Sequence, residues 1–327
     1  MSFTVTIEPD GPRFDARADE TLLEAARRSG VGLPHECGWG SCSSCKVTLV
    51  SGETGLLFPA APAISPRDAR TNRILACQSM ARSDLTIRLS PAAPPPLPVP
   101  DRAHRGELIS VEELAPEVRR FTFRTEVEAD FLPGQYAILH LAPGIRRAYS
   151  MCNLPGDGTL QFISKRYEGG PGSNVLAALS PGDTLALEAP FGTCTLRPRP
   201  GRTIFVAGGT GISPILALVR QAARDRVDFA APVDVIYCAR RPEDLAAGDE
   251  LAEATSMIPD GVYRPHVEVA TAGYRTGRAT HAITVTPFDP DETEFYVAGP
   301  PVMVAAVKAQ LKEAGVPITR VHYDSFG

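Results

Sequence analysis

No stretch of the 327 residues is apolar for long enough to cross a bilayer. The nearest candidate, TIFVAGGTGISPILALV, is interrupted by glycines and a proline. The opening MSFTVTIEPDG lacks a basic segment followed by an apolar run, so no secretory signal is expected. A single tryptophan and scattered Phe and Tyr leave little material for stacking bases, and a formal net charge of −5 with 22% charged residues gives no basic footprint for nucleic acid. The seven cysteines are an odd number without an export signal, which argues against a disulfide scaffold and makes a cytoplasmic location the expectation. No nucleophile–base set and no G-x-G-x-x-G fingerprint is present.

What the chain does have is length for two or three cores and one clear punctuation mark. Six of the ten residues in PAAPPPLPVP, 91–100, are proline, which predicts an extended, semi-rigid linker. Before it, FTVTIE alternates as a strand. A helix follows in DETLLEAARRSG, with Asp19 as the expected cap and Gly30 as the stop, and CKVTLVSGE and DLTIRLS alternate again. This is a small α+β block, 1–90. From 101 to about 197 the pattern is period-two and turn-rich: RRFTFRTE, GQYAILHLA, TLQFISKR and DTLALEAP predict an antiparallel barrel. From 198 to 327, strands such as TIFVAG, VDVIYCAR, YRPHVEVA and EFYVAG alternate with helical segments, which predicts a parallel sheet.

Within the first block lies HECGWGSCSSCKV. Cys37, Cys42 and Cys45 are spaced C-x4-C-x2-C, and Cys77 follows in LACQSM. Zinc sites usually show two close pairs or a cysteine–histidine pattern. Three thiolates in one loop with a fourth from a distant segment is the plant-type [2Fe–2S] spacing; a zinc knot or buried free thiols are the alternatives. Glycines and serines in the loop leave amides and hydroxyls to face the sulfurs, and His35 reads as a loop residue. Cys152, Cys194 and Cys238 have no spacing that implies a site and read as structural.

On these residues, 1–90 resemble a plant-type ferredoxin and 101–327 resemble the ferredoxin–NADP reductase superfamily. That order is similar to the reductase components of bacterial multicomponent oxygenases. The resemblance implies a multidomain α+β and α/β fold: a β-grasp ferredoxin domain, an antiparallel flavin-binding β-barrel and a parallel-sheet nucleotide-binding domain. It departs at Ser43, where the family usually has glycine; serine fits there only if the backbone angles permit.

The strand segment RRAYS carries Arg147, Tyr149 and Ser150, with Arg147 and Tyr149 on one face. In KRYEGGPGSNVLAAL, Gly169, Gly170 and Gly172 precede Ser173 at the start of a helix, a ready anion site. The resemblance implies that Arg147 meets flavin phosphate, Tyr149 the ring and Ser150 the region of N5. The glycine segment would take the diphosphate of FAD, with Phe326 against the flavin's other face; a terminal strand packing that Phe into the core is the alternative.

VAGGTGISP follows an apolar strand and opens a helix, with glycines for close phosphate approach and Pro214 in the first helical turn. The resemblance places Gly208, Gly209, Thr210, Gly211 and Pro214 against the nicotinamide dinucleotide. It makes YVAGPP, with Gly299 and Pro300, a second nucleotide loop, where Ala298 stands in place of a frequent cysteine. Glu243 and Asp244, after VIYCAR, would accept from a ribose 2′-OH and repel a 2′-phosphate, while Arg240 and Arg241 pull the other way. NADH is expected over NADPH.

The implied activity is oxidoreduction: NADH to FAD, FAD to the [2Fe–2S] cluster, and cluster to an oxygenase or hydroxylase protein, with no role for nucleic acid or a membrane. A soluble di-iron monooxygenase is the expected acceptor. A Rieske non-haem iron dioxygenase is the alternative, with a cytochrome, deoxysugar formation or a non-catalytic electron-carrier module behind it.

Overall fold

The computed structural model describes residues 2–35, 40, 43–57, 64–89, 102–143, 145–197, 201–227, 229 and 231–325. The chain divides into two compact units, residues 1–98 and 99–327. The proline-rich stretch 91–100, Cys37, Cys42 and Phe326 lie outside the described residues.

The first unit runs β1 (Ser2–Glu8), β2 (Arg13–Arg17), α1 (Leu22–Arg28), β3 (Lys46–Ser51), β4 (Thr54–Leu56), α2 (Pro66–Arg70), β5 (Arg73–Leu75), β6 (Ser79–Ala81) and β7 (Leu85–Leu89). Its main sheet has the order β2-β1-β7-β3-β5, with β1 and β7 parallel and the other pairs antiparallel; β4 and β6 form a small second sheet. Alternation decides which face is buried. Phe14 and Ala16 of β2 point inward with Val5 and Ile7 of β1, against Leu22, Leu23, Ala25 and Ala26 of α1. The cap of α1 is Thr21, not Asp19. Thr21 Oγ1 accepts from the Glu24 N–H, and the Glu24 carboxylate accepts from the Thr21 N–H at 2.8 Å. Thr21 sits three residues before Glu24 and can complete this reciprocal box, worth about 1 kcal/mol, whereas Asp19 lies in the preceding turn.

The second unit begins with β8 (Arg102–Ala115), β9 (Val118–Thr125), β10 (Tyr136–Ala142), β11 (Ile145–Ser150), β12 (Thr159–Lys165), α3 (Pro171–Ala178) and β13 (Thr184–Phe191). These strands form one antiparallel sheet, β11-β10-β13-β8-β9-β12. A bridge between Met151 and Phe162 brings the edge strands β11 and β12 together, so the sheet curls toward closure around Phe121, Phe123, Phe162 and Leu187.

The remainder runs β14 (Thr203–Gly208), α4 (Ile212–Arg224), β15 (Val233–Ala239), α5 (Gly248–Ser256), β16 (Gly261–Val267), β17 (Arg275–Thr276), α6 (Ala279–Thr284), β18 (Glu294–Gly299), α7 (Pro301–Glu313) and β19 (Val321–Ser325). All pairs of this sheet are parallel, in the order β17-β16-β15-β14-β18-β19. β14, β15 and β18 are buried along their whole length, as strands covered by helices on both faces must be. The chain reverses its direction of growth at β14, so the crevice at the carboxyl ends of β14, β15 and β18 is where such a sheet binds ligands.

Candidate electron-transfer site

Cys45 and Cys77 meet in the first unit. Cys45 ends the loop that leads into β3, and Cys77 lies between β5 and β6. A backbone bond from the Ala76 N–H to the Cys45 carbonyl, 3.0 Å, holds the two segments in register. Their Sγ atoms are 3.2 Å apart and both residues are buried. That distance is far beyond a disulfide bond of about 2.05 Å and suits two thiolates converging on one metal. Ser43 takes φ +70°, the left-handed region that glycine fills without strain. His35 is a loop residue whose Nδ1 lies 2.8 Å from the Leu33 carbonyl.

In the second unit, the R-x-Y-S segment is the end of β11. Gly172, in the first turn of α3, packs directly on Arg147; a Cβ at Gly172 would stand 2.8 Å from Arg147 Cγ, so a side chain there would displace the arginine. The Arg147 side chain therefore passes over the first turn of α3, with its Nη1 donating to the Arg146 carbonyl at 2.8 Å, and no side chain caps the start of this helix. Ser173 serves the loop itself: its hydroxyl accepts from the Tyr167 N–H at 3.1 Å and donates to the Gly170 carbonyl at 3.2 Å. Gly169 makes the turn at φ +72°. Tyr149 lies against Phe162, ring centroids 6.3 Å apart, and burial pushes its phenol pKa up despite the opposing hydrogen bond with Ser164. These residues suit a flavin carrying phosphate: a cation and free amides for the anion, and an aromatic face for the ring.

At the crevice of the parallel sheet, Gly209, Thr210 and Gly211 form one 3-10 turn between β14 and α4, with Pro214 buried in the first turn of α4. Gly211 touches the second loop so closely that a Cβ would lie 2.1 Å from the Ala298 carbonyl oxygen. The loop at Gly208–Gly211 and the loop at Gly299 and Pro300 are thus one surface. Pro300 precedes α7 and leaves its first turn without a side-chain cap. Glu243 and Asp244 lie in a short turn after β15, where Arg241 Nη1 stands 3.7 Å from Glu243 Oε1. The glycine turn and the segment after Asp244 are tied together by Tyr237, whose hydroxyl is 3.2 Å from both the Gly209 and Ala246 carbonyls.

The two halves of the second unit meet at Ser150, whose hydroxyl donates to Asp324 on β19 at 2.5 Å. Asp324 pairs with Ala298 in the sheet, and its neighbour Ser325 with Gly299. The serine of β11 therefore sits beside the second nucleotide loop. Farther out, the Glu250 carboxylate of α5 binds Arg120 of β9 and Arg220 of α4, each at 2.5 Å, and Arg220 also donates to the Cys152 carbonyl at 3.2 Å. Sequence reasoning missed Asp324, Tyr237 and Glu250. Asp324 stands two residues before Phe326, but nothing in the local pattern pairs it with Ser150, 174 positions away.

Comparison with known proteins agrees across the whole chain. Residues 5–82 match the 2Fe-2S iron-sulfur cluster binding domain, 105–196 the oxidoreductase FAD-binding domain and 205–309 the oxidoreductase NAD-binding domain. The chain is 36% identical over 330 residues to the ferredoxin–NAD(+) reductase component of the alkene monooxygenase system of Xanthobacter autotrophicus, covering 97% of this chain and 98% of that one. It is 31% identical to the toluate 1,2-dioxygenase electron transfer component of Pseudomonas putida, covering 96% and 94%. Among solved structures, the ferredoxin reductase in carbazole 1,9a-dioxygenase superposes with a TM-score of 0.86 at 31% identity, covering 100% of this chain and 99% of that one.

Proposed function

Because the chain belongs to the family of ferredoxin–NAD(P)+ reductase components of bacterial oxygenase systems, we propose that it draws electrons from NADH and delivers them, through FAD and a [2Fe–2S] cluster, to a soluble di-iron monooxygenase. The observation that carries this reading is the Ser150–Asp324 contact, which joins the R-x-Y-S strand to the nucleotide loops of the parallel sheet. FAD, when bound, converts a two-electron hydride donor into a source of single electrons for the cluster.

The chain's own residues bind and position. Arg147 and the amides at Gly172 and Ser173 hold the flavin phosphates, with Gly169 and Gly170 shaping the loop, and Tyr149 packs the ring. Ser150, oriented by Asp324, offers a hydroxyl where the two substrates of hydride transfer must approach. Gly208, Gly209, Thr210, Gly211, Pro214, Gly299 and Pro300 receive the nicotinamide dinucleotide. Glu243 and Asp244 favour a free ribose 2′-OH, and the pairing of Arg241 with Glu243 leaves that arginine less available to a 2′-phosphate. Phe326 covers the flavin from the C-terminus. Cys37, Cys42, Cys45 and Cys77 hold the cluster. Domain limits fall near 90, 101 and 198, with 91–100 as linker.

The monooxygenase acceptor rests on the similarity, along nearly the whole chain, to the alkene monooxygenase reductase component. The similarity to the toluate dioxygenase component supports the Rieske dioxygenase alternative. Among the described residues no helix is long and apolar enough to cross a membrane. Anaerobic titration with NADH and then NADPH, followed by visible and EPR spectra, tests the electron path. Flavin bleaching and a rhombic [2Fe–2S] signal with NADH are expected, and an inert spectrum would refute the reading. Mixing the reduced protein with a purified di-iron hydroxylase or a Rieske oxygenase then separates the acceptors by which one is reduced.

A further inference from the structure

Cys77 has a polar neighbour that the cluster ligands alone do not require. The side chain of Gln78 is buried, and its Nε2 lies 3.8 Å from Cys77 Sγ, within the reach of a hydrogen bond to the larger sulfur atom. Among the described residues this is the one hydrogen bond its carboxamide makes. The backbone of Gln78 is satisfied separately: its N–H donates to the Leu75 carbonyl at 2.9 Å, and its carbonyl accepts from the Leu57 N–H at 2.8 Å. The turn that carries Cys77 is therefore held by main-chain bonds, and the carboxamide is not needed to form it. A buried amide aimed at a sulfur, in a turn its main chain already holds, has a chemical consequence instead of a structural one.

We propose that Gln78 is a positioning residue for the [2Fe–2S] cluster, donating through Nε2–H to the Cys77 thiolate and raising the cluster's reduction potential. The proposal rests on the cluster reading above. Reduction adds one negative charge, shared by the irons and their sulfurs. A donor dipole fixed on one ligand sulfur stabilises the more negative state, and burial removes the water that would otherwise compete. The effect acts on how readily the cluster accepts an electron from the flavin, and leaves the flavin's own chemistry alone.

The test uses the full-length, cluster-loaded protein and the variant Gln78→Met, which keeps length and apolar bulk without the donor. The cluster midpoint potential is measured by optical and EPR redox titration, with iron and sulfide content and the flavin midpoint determined on the same sample. The expected result is full iron and sulfide content, an unchanged flavin midpoint and a cluster midpoint moved to lower potential, with Gln78→Asn intermediate. A full cluster with an unmoved midpoint overturns the proposal. If Gln78→Met does not retain its cluster, the wild-type protein carrying 15N in glutamine side chains decides. A 15N hyperfine coupling to the reduced cluster supports the contact, and its absence overturns it. A wild-type protein without two irons and two sulfides per chain sinks the cluster reading itself, and that failure is visible before any variant is made.

Discussion

Ser150 and Asp324 are 174 residues apart in sequence and joined by a 2.5 Å hydrogen bond, the serine donating and the carboxylate accepting. One ends a barrel strand and the other lies on the last strand of the parallel sheet, so a single contact joins the two sheets of the second unit.

Removing either partner loosens that setting. A hydrogen bond to a charged group contributes about 1.5–3 kcal/mol, which corresponds to roughly 10- to 100-fold in rate if it acts only on the reacting geometry. Ser150→Ala and Asp324→Ala should each slow flavin bleaching by NADH in stopped-flow by about that factor, while NADH affinity changes little. A fall in affinity with an unchanged limiting rate would mean the pair serves binding only.

Ser43 holds a left-handed backbone at φ +70° inside the cysteine loop. A non-glycine residue pays roughly 1–2 kcal/mol there, partly offset by the greater freedom glycine has when unfolded. Ser43→Gly should stabilise the loop by about 0.5–1 kcal/mol and lengthen the half-life of the cluster against a chelator severalfold. A shorter half-life would show that the Ser43 side chain contributes more than its backbone costs.

Tyr237 spans the glycine turn and the segment after Asp244 with one hydroxyl. Tyr237→Phe should raise the KM for NADH about fivefold, the equivalent of roughly 1 kcal/mol, with kcat nearly kept. An equal fall in kcat at unchanged KM would place its effect on the chemical step.

Asp234 is fully buried in β15, where its carboxylate receives Arg202 Nε at 2.8 Å and Arg264 Nε at 2.5 Å, drawing together the segments at β14, β15 and β16. Asp234→Ala leaves two guanidinium groups without their counter-charge, and a loss of about 3–5 kcal/mol is expected in chemical denaturation. A loss below about 1 kcal/mol would show that water replaces the carboxylate.

Burial pushes the Cys152 thiol up to about 11 and the Cys238 thiol up to about 12, from an ordinary value of 9.0. Both are raised, so the folded chain holds these protons more tightly than the unfolded chain. Their contribution to stability is present in full below pH 9 and is lost as the pH climbs toward 11 and 12. At pH 8 neither thiol should react with a thiol reagent until denaturant is added. Fast labelling of either in the native protein would contradict the buried placement.

Much of the candidate site was legible because each of its motifs is local. The C-x4-C-x2-C spacing, the R-x-Y-S strand and the glycine turn at Gly208–Gly211 each occupy one short segment, where residue type and period are enough. Other features were not legible for the same reason. Asp19 and Thr21 are both acceptable caps by type, and the choice fell to Thr21 because only it stands three residues from Glu24. The long strand β8 has charged residues through its exposed face and no clean alternation, so its pairing with β9 and β13 defines it better than its own pattern does.

By itself the sequence determined the composition of each part: four cysteines at iron–sulfur spacing, an arginine and tyrosine alternating on a strand, glycines clustered in the turns that open α3 and α4. Those follow from covalent order, since side chains two or three positions apart share a face or a loop whatever surrounds them. Only the tertiary structure decided which parts meet. Cys45 reaching Cys77, Gly172 packing on Arg147, Gly211 touching Ala298 and Ser150 finding Asp324 are contacts between distant segments. They are set by sheet order and core packing, which many residues determine jointly and no short motif encodes.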